Sequence, residues 1–323
     1  MLNYPLRFEP ILKEKIWGGN KLRKVLHKNS ENENIGESWE ISGVENNISV
    51  VENGLLKGSS LKGLLLKYKD KLVGEKVYQK FDSEFPLLIK FIDAKTDLSV
   101  QLHPDDKIAR NRHNSSGKTE MWYILRADEG ARINIGFSRK ISKKEYLEHL
   151  ESGTITKLLH FEEVKEGDAF FIEPGRVHAI GGGVLLAEVQ QTSDVTYRIY
   201  DWDRVDEKGI PRELHTELAL DAIKFDQKSD FKLDFARNLN QASRILECKY
   251  FTTNFLPVAG TITRDNTSLD SFVIYMCVKG LAEVSVNGNS ESIAMGQTLL
   301  IPAENKKVNI SSEAADLLEI YVS

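Results

Sequence analysis

Gly167-Asp168-Ala169-Phe170-Phe171-Ile172-Glu173-Pro174-Gly175-Arg176-Val177-His178 reads as a turn, a short apolar strand, a second turn and an imidazole. Gly167-Asp168 opens the strand, Ala169–Ile172 carries it, and Pro174-Gly175 ends it. That punctuation belongs to a hairpin of a small β-barrel. The phrase recurs at Gly296-Gln297-Thr298-Leu299-Leu300-Ile301-Pro302-Ala303. Eleven residues on from each glycine stands His178 in the first copy and Lys307 in the second. The repeat predicts two barrels of one kind, of which only the first keeps the ligating side chain.

Working outward from His178, three more groups stand beside strand-like runs. Gln101 and His103 lie two apart in Ser99-Val100-Gln101-Leu102-His103 and so share one face. Glu120 precedes Met121-Trp122-Tyr123-Ile124-Leu125. Two imidazoles, a carboxylate and an amide oxygen inside an antiparallel barrel make a mixed N/O set suited to Zn²⁺, and almost as well to Fe²⁺, Mn²⁺ or Co²⁺. Without thiolates, and with room for water or substrate, such a site is catalytic rather than structural. Each piece also has a plain alternative. His27, His113, His149, His160 and His215 read as ordinary surface or hydrogen-bonded histidines. Glu120 alone reads as a solvated charge, and Pro104-Asp105-Asp106 as a turn and a helix N-cap. The turn–strand–turn context around His178 favours the metal site.

The chain has 323 residues, enough for two domains or one elaborated one. Its net charge of −5 provides no basic field for nucleic acid or acidic membrane, so an anionic substrate must be held by local Lys and Arg. Cys248 and Cys277 are the only cysteines, too few for a disulfide framework or a thiolate metal site. Met1-Leu2-Asn3-Tyr4-Pro5 lacks the features of a signal peptide, and no apolar run reaches a transmembrane length. A cytoplasmic location is expected.

Along the chain, residues 1–60 alternate apolar runs with Gly and Asn turns. Helical inserts are expected at about 61–81, 142–159 and 213–225, the second opened by a Ser142/Glu145 capping box and broken by Gly153. Leu87–Ala94 is a dense strand with Lys90 inside it, either an edge lysine that snorkels or one facing a polar cavity. Residues 226–244 read as a linker. Short strands follow at Tyr250–Leu256, Ser271–Val278, Ala282–Val286, Thr298–Ile301 and Ala315–Val322. The expected fold is mainly β: two barrels of one kind with small helical inserts. Residues 1–240 form the metal-binding catalytic unit, and residues 241–323 a second barrel without metal ligands.

Gln101-Leu102-His103-Pro104-Asp105, Lys118-Thr119-Glu120, Pro174-Gly175-Arg176-Val177-His178-Ala179 and Tyr197-Arg198-Ile199-Tyr200-Asp201 together resemble the type I phosphomannose isomerases of the cupin superfamily, in their short bacterial form. The resemblance spans essentially the whole chain, including Pro5-Leu6-Arg7-Phe8, Trp17-Gly18-Gly19 and Gly36-Glu37-Ser38-Trp39-Glu40. It implies two cupin-type jelly-roll barrels, the second cupin-like and without metal ligands, and metal ligation by Gln101, His103, Glu120 and His178, with one Zn²⁺ per chain. It also implies a catalytic Arg198, phosphate-side Lys90 and Lys118 with Ser99 nearby, an active-site carboxylate at Glu188, and pocket-lining Trp17 and Glu40. The general cupin His-x-His here becomes Gln101-Leu102-His103, as is usual in this family.

The implied reaction interconverts mannose 6-phosphate and fructose 6-phosphate, moving a proton between C2 and C1 through a cis-enediol. Arg198 would stabilise the enediolate. Lys118, two residues before Glu120, would share that ligand's face and hold phosphate as a point charge. Glu188 is nominated as the proton base. The expected partner is a small hexose 6-phosphate, with neither nucleic acid nor membrane, and the chain works as a monomer or weak homodimer. Three alternatives stand beside this: an O₂-activating Fe²⁺ barrel, a non-catalytic sugar-phosphate-binding cupin, and a paralogue for another hexose phosphate. Lys90, Lys118 and Arg198 argue for an anion and against the apolar pocket of the first.

Overall fold

The computed structural model describes residues 2–206, 208–226 and 231–322. In chain order the strands of the first part are β1 (Ile11–Gly19), β2 (Ile35–Ile41), β3 (Leu87–Ala94), β4 (Val100–Leu102), β5 (Glu120–Ala127) and β6 (Arg132–Phe137). They continue with β7 (Leu159–Glu163), β8 (Ala169–Ile172), β9 (His178–Ile180), β10 (Val184–Gln191) and β11 (Tyr197–Tyr200). The last part holds β12 (Ser243–Glu247), β13 (Thr252–Asp265), β14 (Val273–Val286), β15 (Asn289–Ala294), β16 (Thr298–Ile301) and β17 (Lys307–Tyr321). Helices α1 (Lys21–Lys24), α2 (Leu61–Tyr68), α3 (Asp70–Val73), α4 (Glu75–Phe81), α5 (Asp106–His113), α6 (Lys143–Glu151) and α7 (Thr216–Leu220) are short insertions.

The strands make three antiparallel sheets. The first runs β1-β2-β3-β10-β5-β8, the second β11-β4-β9-β6-β7, and the third β12-β13-β17-β14-β15 with β16 also on β14. Sheets one and two face each other across a core of Trp17, Ile92, Trp122, Ile124, Ile133, Ile135, Ile180 and Leu186. The other face of sheet one is also covered. There Leu87, Ile89, Phe91, Met121, Tyr123 and Val189 pack with Phe255, Ile274, Met276, Leu318 and Ile320 of the third sheet. Burial on both faces explains why β3 and β10 are apolar nearly throughout rather than alternating. The third sheet folds on itself around Tyr275, Cys277, Val284, Leu299, Ile310 and Leu317.

The repeated phrase has one structure in both copies. Gly167 (φ 87°) leads into β8 and Gly296 (φ 86°) into β16, and β9 and β17 begin at His178 and Lys307. The helical inserts differ in detail from their sequence pattern. The 61–81 insert breaks into three pieces at Lys69 (φ 48°) and Gly74 (φ 95°). Ser142 Oγ accepts from Glu145 N–H at 3.1 Å, but the Glu145 carboxylate turns to Arg139, leaving half a capping box. The expected 213–225 helix shrinks to Thr216–Leu220, because the chain beyond it is claimed by neighbours. Lys224 N–H donates to Gly175 O, Ile141 N–H donates to Phe225 O, and Ile223 is buried. The two strands expected at 271–278 and 282–286 are one, β14, continuing through Gly280 with register shifts. Of the expected 226–244 linker, residues 227–230 lie outside the described residues; its end runs into β12, which begins at Ser243.

Candidate metal centre and active site

Strand register assembles the centre. On sheet two, Gln101 of β4 pairs with Arg198 of β11 on one side and His178 of β9 on the other, so the three stand in a row across adjacent strands. His103 follows β4, and Glu120 enters from β5 on the facing sheet. The ligating atoms of His103, Glu120 and His178 all lie within 4.8 Å of one another. His103 Nε2 is 3.2 Å from Glu120 Oε1, His178 Nε2 is 3.9 Å from Glu120 Oε2, and Gln101 Nε2 is 3.5 Å from His178 Nε2.

Backbone carbonyls set both tautomers. His103 Nδ1 is 2.8 Å from Val195 O, and His178 Nδ1 is 2.9 Å from Arg176 O. A carbonyl only accepts, so each Nδ1 carries the proton and each bare Nε2 faces the centre. Burial, helped by Lys118, pushes His103 down to about 4, and burial likewise lowers His178, so both rings are neutral at pH 7. Burial would raise Glu120, but the charge of Lys118 opposes it and the carboxylate is held well below its usual range. His103 Nε2 and Glu120 Oε2 are buried with no hydrogen-bond partner, and Glu120 Oε1 meets only the charge of Lys118. Unsatisfied buried lone pairs of this kind are costly. Their clustering with His178 fits a divalent cation, and the N/O donor set suits Zn²⁺ and its neighbours.

Beside the centre opens a cleft of about 480 Å³, lined by Trp17, Lys90, Ser99, Gln101, Lys118, His178, Glu188 and Arg198 among others. Across sheet one, Trp39, Lys90, Glu188 and Trp122 form a cross-strand row. Lys90 Nζ is 3.0 Å from Glu188 Oε1 and 3.9 Å from Glu37 Oε2, and the Trp122 indole donates to Glu188 Oε2 at 2.9 Å. Burial would lower Lys90, but Glu188 and Glu37 raise it and keep it charged. Lys118 Nζ sits 2.9 Å from Glu120 Oε1. Each buried lysine therefore has a carboxylate partner. The balance differs at the other end of the cleft. Arg198 donates to Ser99 Oγ at 3.3 Å and Glu213 O at 2.8 Å. Arg212 grips Asp201 through Nε at 2.7 Å and Nη2 at 2.6 Å, and Arg204 holds the same carboxylate at 2.5 Å. Two guanidiniums share that one buried carboxylate, and Arg198 has no carboxylate within ion-pair distance among the described residues.

Two sequence assignments change. Glu40 is not in the cleft: β2 alternates, so Glu37 and Trp39 face it while Ser38 and Glu40 face away. Lys28 Nζ holds both Glu40 oxygens at 2.7 and 2.8 Å, and Ser38 Oγ donates to Oε1 at 2.5 Å. Glu188 is in the cleft, but Lys90 and the Trp122 indole occupy its two oxygens. Engaged in that way, it is poorly placed to take a substrate proton and serves as the support of Lys90. Sequence reasoning missed Glu37, Trp39 and Arg212. The alternation of Gly36-Glu37-Ser38-Trp39-Glu40 shows that Glu37 and Glu40 oppose each other; nothing in Ile210-Pro211-Arg212 points to a site.

Residues 6–131 match the family model for the phosphomannose isomerase type I catalytic domain, and residues 242–322 that for the mannose-6-phosphate isomerase cupin domain. A mannose-6-phosphate isomerase of Streptococcus mutans is 35% identical over 299 residues, 92% of each chain. Mannose-6-phosphate isomerase ManA of Bacillus subtilis is 37% identical over 264 residues, 81% of this chain and 82% of that one. The crystal structure of a mannose 6-phosphate isomerase from Bacillus subtilis superposes with a TM-score of 0.88 at 30% identity, covering 99% of each chain. With both domain models matched and relatives aligned along nearly its full length, the chain belongs to the type I phosphomannose isomerases.

Proposed function

We propose that the protein interconverts mannose 6-phosphate and fructose 6-phosphate, with one Zn²⁺ held by Gln101, His103, Glu120 and His178. The observation that carries the reading is the convergence of buried His103, Glu120 and His178 beside a cleft with excess positive charge at one end. A divalent ion bound there would polarise substrate oxygens and offset the negative charge that develops on them. Residues 1–240 are the catalytic unit and residues 241–323 the cupin-like unit that packs against it. Free Cys248 and Cys277 accord with a reducing, cytoplasmic setting, and the unit of function is a monomer or weak homodimer.

The chain's own groups divide the remaining work. Arg198, beside Gln101 in the strand row, presents its guanidinium to the enediolate oxygens. Phosphate is gripped at the Arg198–Arg212 end with Ser99, because Lys90 and Lys118 are already neutralised by Glu188 and Glu120. Lys118 keeps Glu120 ionised and faces the cleft floor. Glu188 holds Lys90 against the Trp39 ring, 5.2 Å from its centroid, while Trp17 walls the cleft and limits water. The test is a coupled assay for fructose 6-phosphate before and after chelation and Zn²⁺ return, with Arg198→Ala and His103→Ala alongside. Activity lost on chelation, restored by Zn²⁺ and absent from both variants is the expected result. No turnover with a filled metal site would refute the reading.

A further inference from the structure

The sequence His103-Pro104-Asp105-Asp106 places two carboxylates after a metal ligand, and the structure gives them different tasks. Asp105 caps α5, its Oδ1 accepting from Ile108 N–H at 2.9 Å. Asp106 does not cap. Its Oδ1 accepts from Gly117 N–H and from Gln191 Nε2, each at 3.1 Å. Its Oδ2 accepts from Tyr250 O–H at 2.6 Å and Lys249 Nζ at 3.3 Å, both in the turn between β12 and β13. Gln191 completes the clamp: its Oε1 accepts from Thr119 N–H at 3.0 Å, and its own N–H donates to Thr119 O at 3.2 Å.

The clamped stretch is 117–119, which leads directly into Glu120. It also carries Lys118, whose N–H donates to Pro104 O at 3.2 Å. A Cβ at Gly117 would stand 2.5 Å from Asp106 N and 2.7 Å from Asp105 C, so the backbone is pressed against the first turn of α5. We infer that Asp106, anchored by Tyr250 of the C-terminal barrel, is the positioning residue that fixes Lys118 and Glu120 at the metal centre. The second barrel, which lacks ligands of its own, thereby serves the first. Burial opposes ionisation of Asp106, but the bonds from Tyr250, Gln191, Gly117 and Lys249 outweigh it and keep the carboxylate available as a four-way acceptor. The inference rests on the metal-site reading above.

The experiment measures Zn²⁺ affinity by competition with a chelating dye, with the melting temperature of the metal-free protein recorded for each variant. Asp106→Ala and Gln191→Ala are each expected to weaken Zn²⁺ binding by about 10–100-fold, the usual effect of removing an outer support of a metal ligand. Their double variant should lose little more than the worse single, because both act through one segment. Tyr250→Phe should weaken binding several-fold, and Asp106→Asn, which keeps one acceptor oxygen, should recover most of the loss. Leu318→Ala serves as the stability control: it opens a cavity in the shared core, lowers the melting temperature and leaves affinity within about twofold. Wild-type affinity in Asp106→Ala, or an equal loss in Leu318→Ala, would overturn the inference. Should Asp106→Ala not fold, Tyr250→Phe decides, and wild-type affinity there overturns it. A wild-type protein that binds no Zn²⁺ would instead overturn the metal-site reading.

Discussion

Arg212 sits in a loop with no periodic signal, yet it lines the cleft and shares Asp201 with Arg204. If it grips phosphate in both ground and transition states, Arg212→Ala raises KM for mannose 6-phosphate by about 10–100-fold and leaves kcat little changed. Steady-state kinetics over a wide substrate range checks this, and a loss confined to kcat would move Arg212 from binding to chemistry. A second residue-scale prediction concerns pH. His103 is held down at about 4, so between that value and its ordinary 6.5 the unfolded chain binds a proton that the folded chain refuses. The metal-free protein is therefore at full stability above about pH 6.5. It weakens as pH falls toward 4, by on the order of 3 kcal/mol. Below the ordinary carboxylate range Glu37 adds loss of the same sign. Against the upward push of burial, Lys90 and Lys15 hold it at about 2. Urea unfolding of the metal-free protein from pH 7.5 to 4.5 should show the decline, and His103→Gln should flatten it. The candidate ligands were legible in the sequence because His103, Glu120 and His178 sit at strand ends beside turns. The proton partners of the histidines, Val195 O and Arg176 O, were not, since any residue supplies a carbonyl.

Elements are held as much by neighbours as by their own sequence. The first turn of α4 has two N–H groups, Glu75 and Lys76, donated at 2.8 and 2.9 Å to the carboxylate of Asp270, far along the chain. Gly74, just before it, is required: its φ is 95° and a Cβ would lie 2.4 Å from Asp270 O. Asp270→Ala should cost about 1 kcal/mol, as loss of a helix cap does. Urea unfolding measures it, and a change under a few tenths would mean water replaces the cap at no cost. The strands of the repeated phrase were legible because short runs of apolar and β-branched residues between turn residues permit little else. The extent of α7 was not, because Ile223 and Phe225 fit a helical stripe equally well until the turn at Gly175 and the backbone of Ile141 claim them. Lys90 illustrates the same limit. Its place in β3 was visible, but which of its two readings held depended on the strand facing it, where Glu188 is directly opposite.

At the scale of the molecule, sheet one is a shared wall. One face closes the catalytic barrel and the other supplies core to the third sheet. Leu6 also pairs with Leu300 through two backbone hydrogen bonds, tying the N-terminal segment to β16. A fragment of residues 1–240 exposes that apolar face and should fail to give a folded monomer. Size exclusion and near-UV circular dichroism test this, and a monomeric, native-like fragment would show that the two barrels are independent. The sequence by itself determined the mainly β class, the repeated barrel phrase, and the residues able to ligate a metal. Those are carried by side-chain period, turn chemistry and donor type, all local properties. Only the tertiary structure decided which carboxylate faces the cleft, which cations remain in excess there, and which residues brace the stretch before Glu120. These depend on strand register and on pairs such as Lys28–Glu40 and Tyr250–Asp106, whose partners meet because two surfaces pack together.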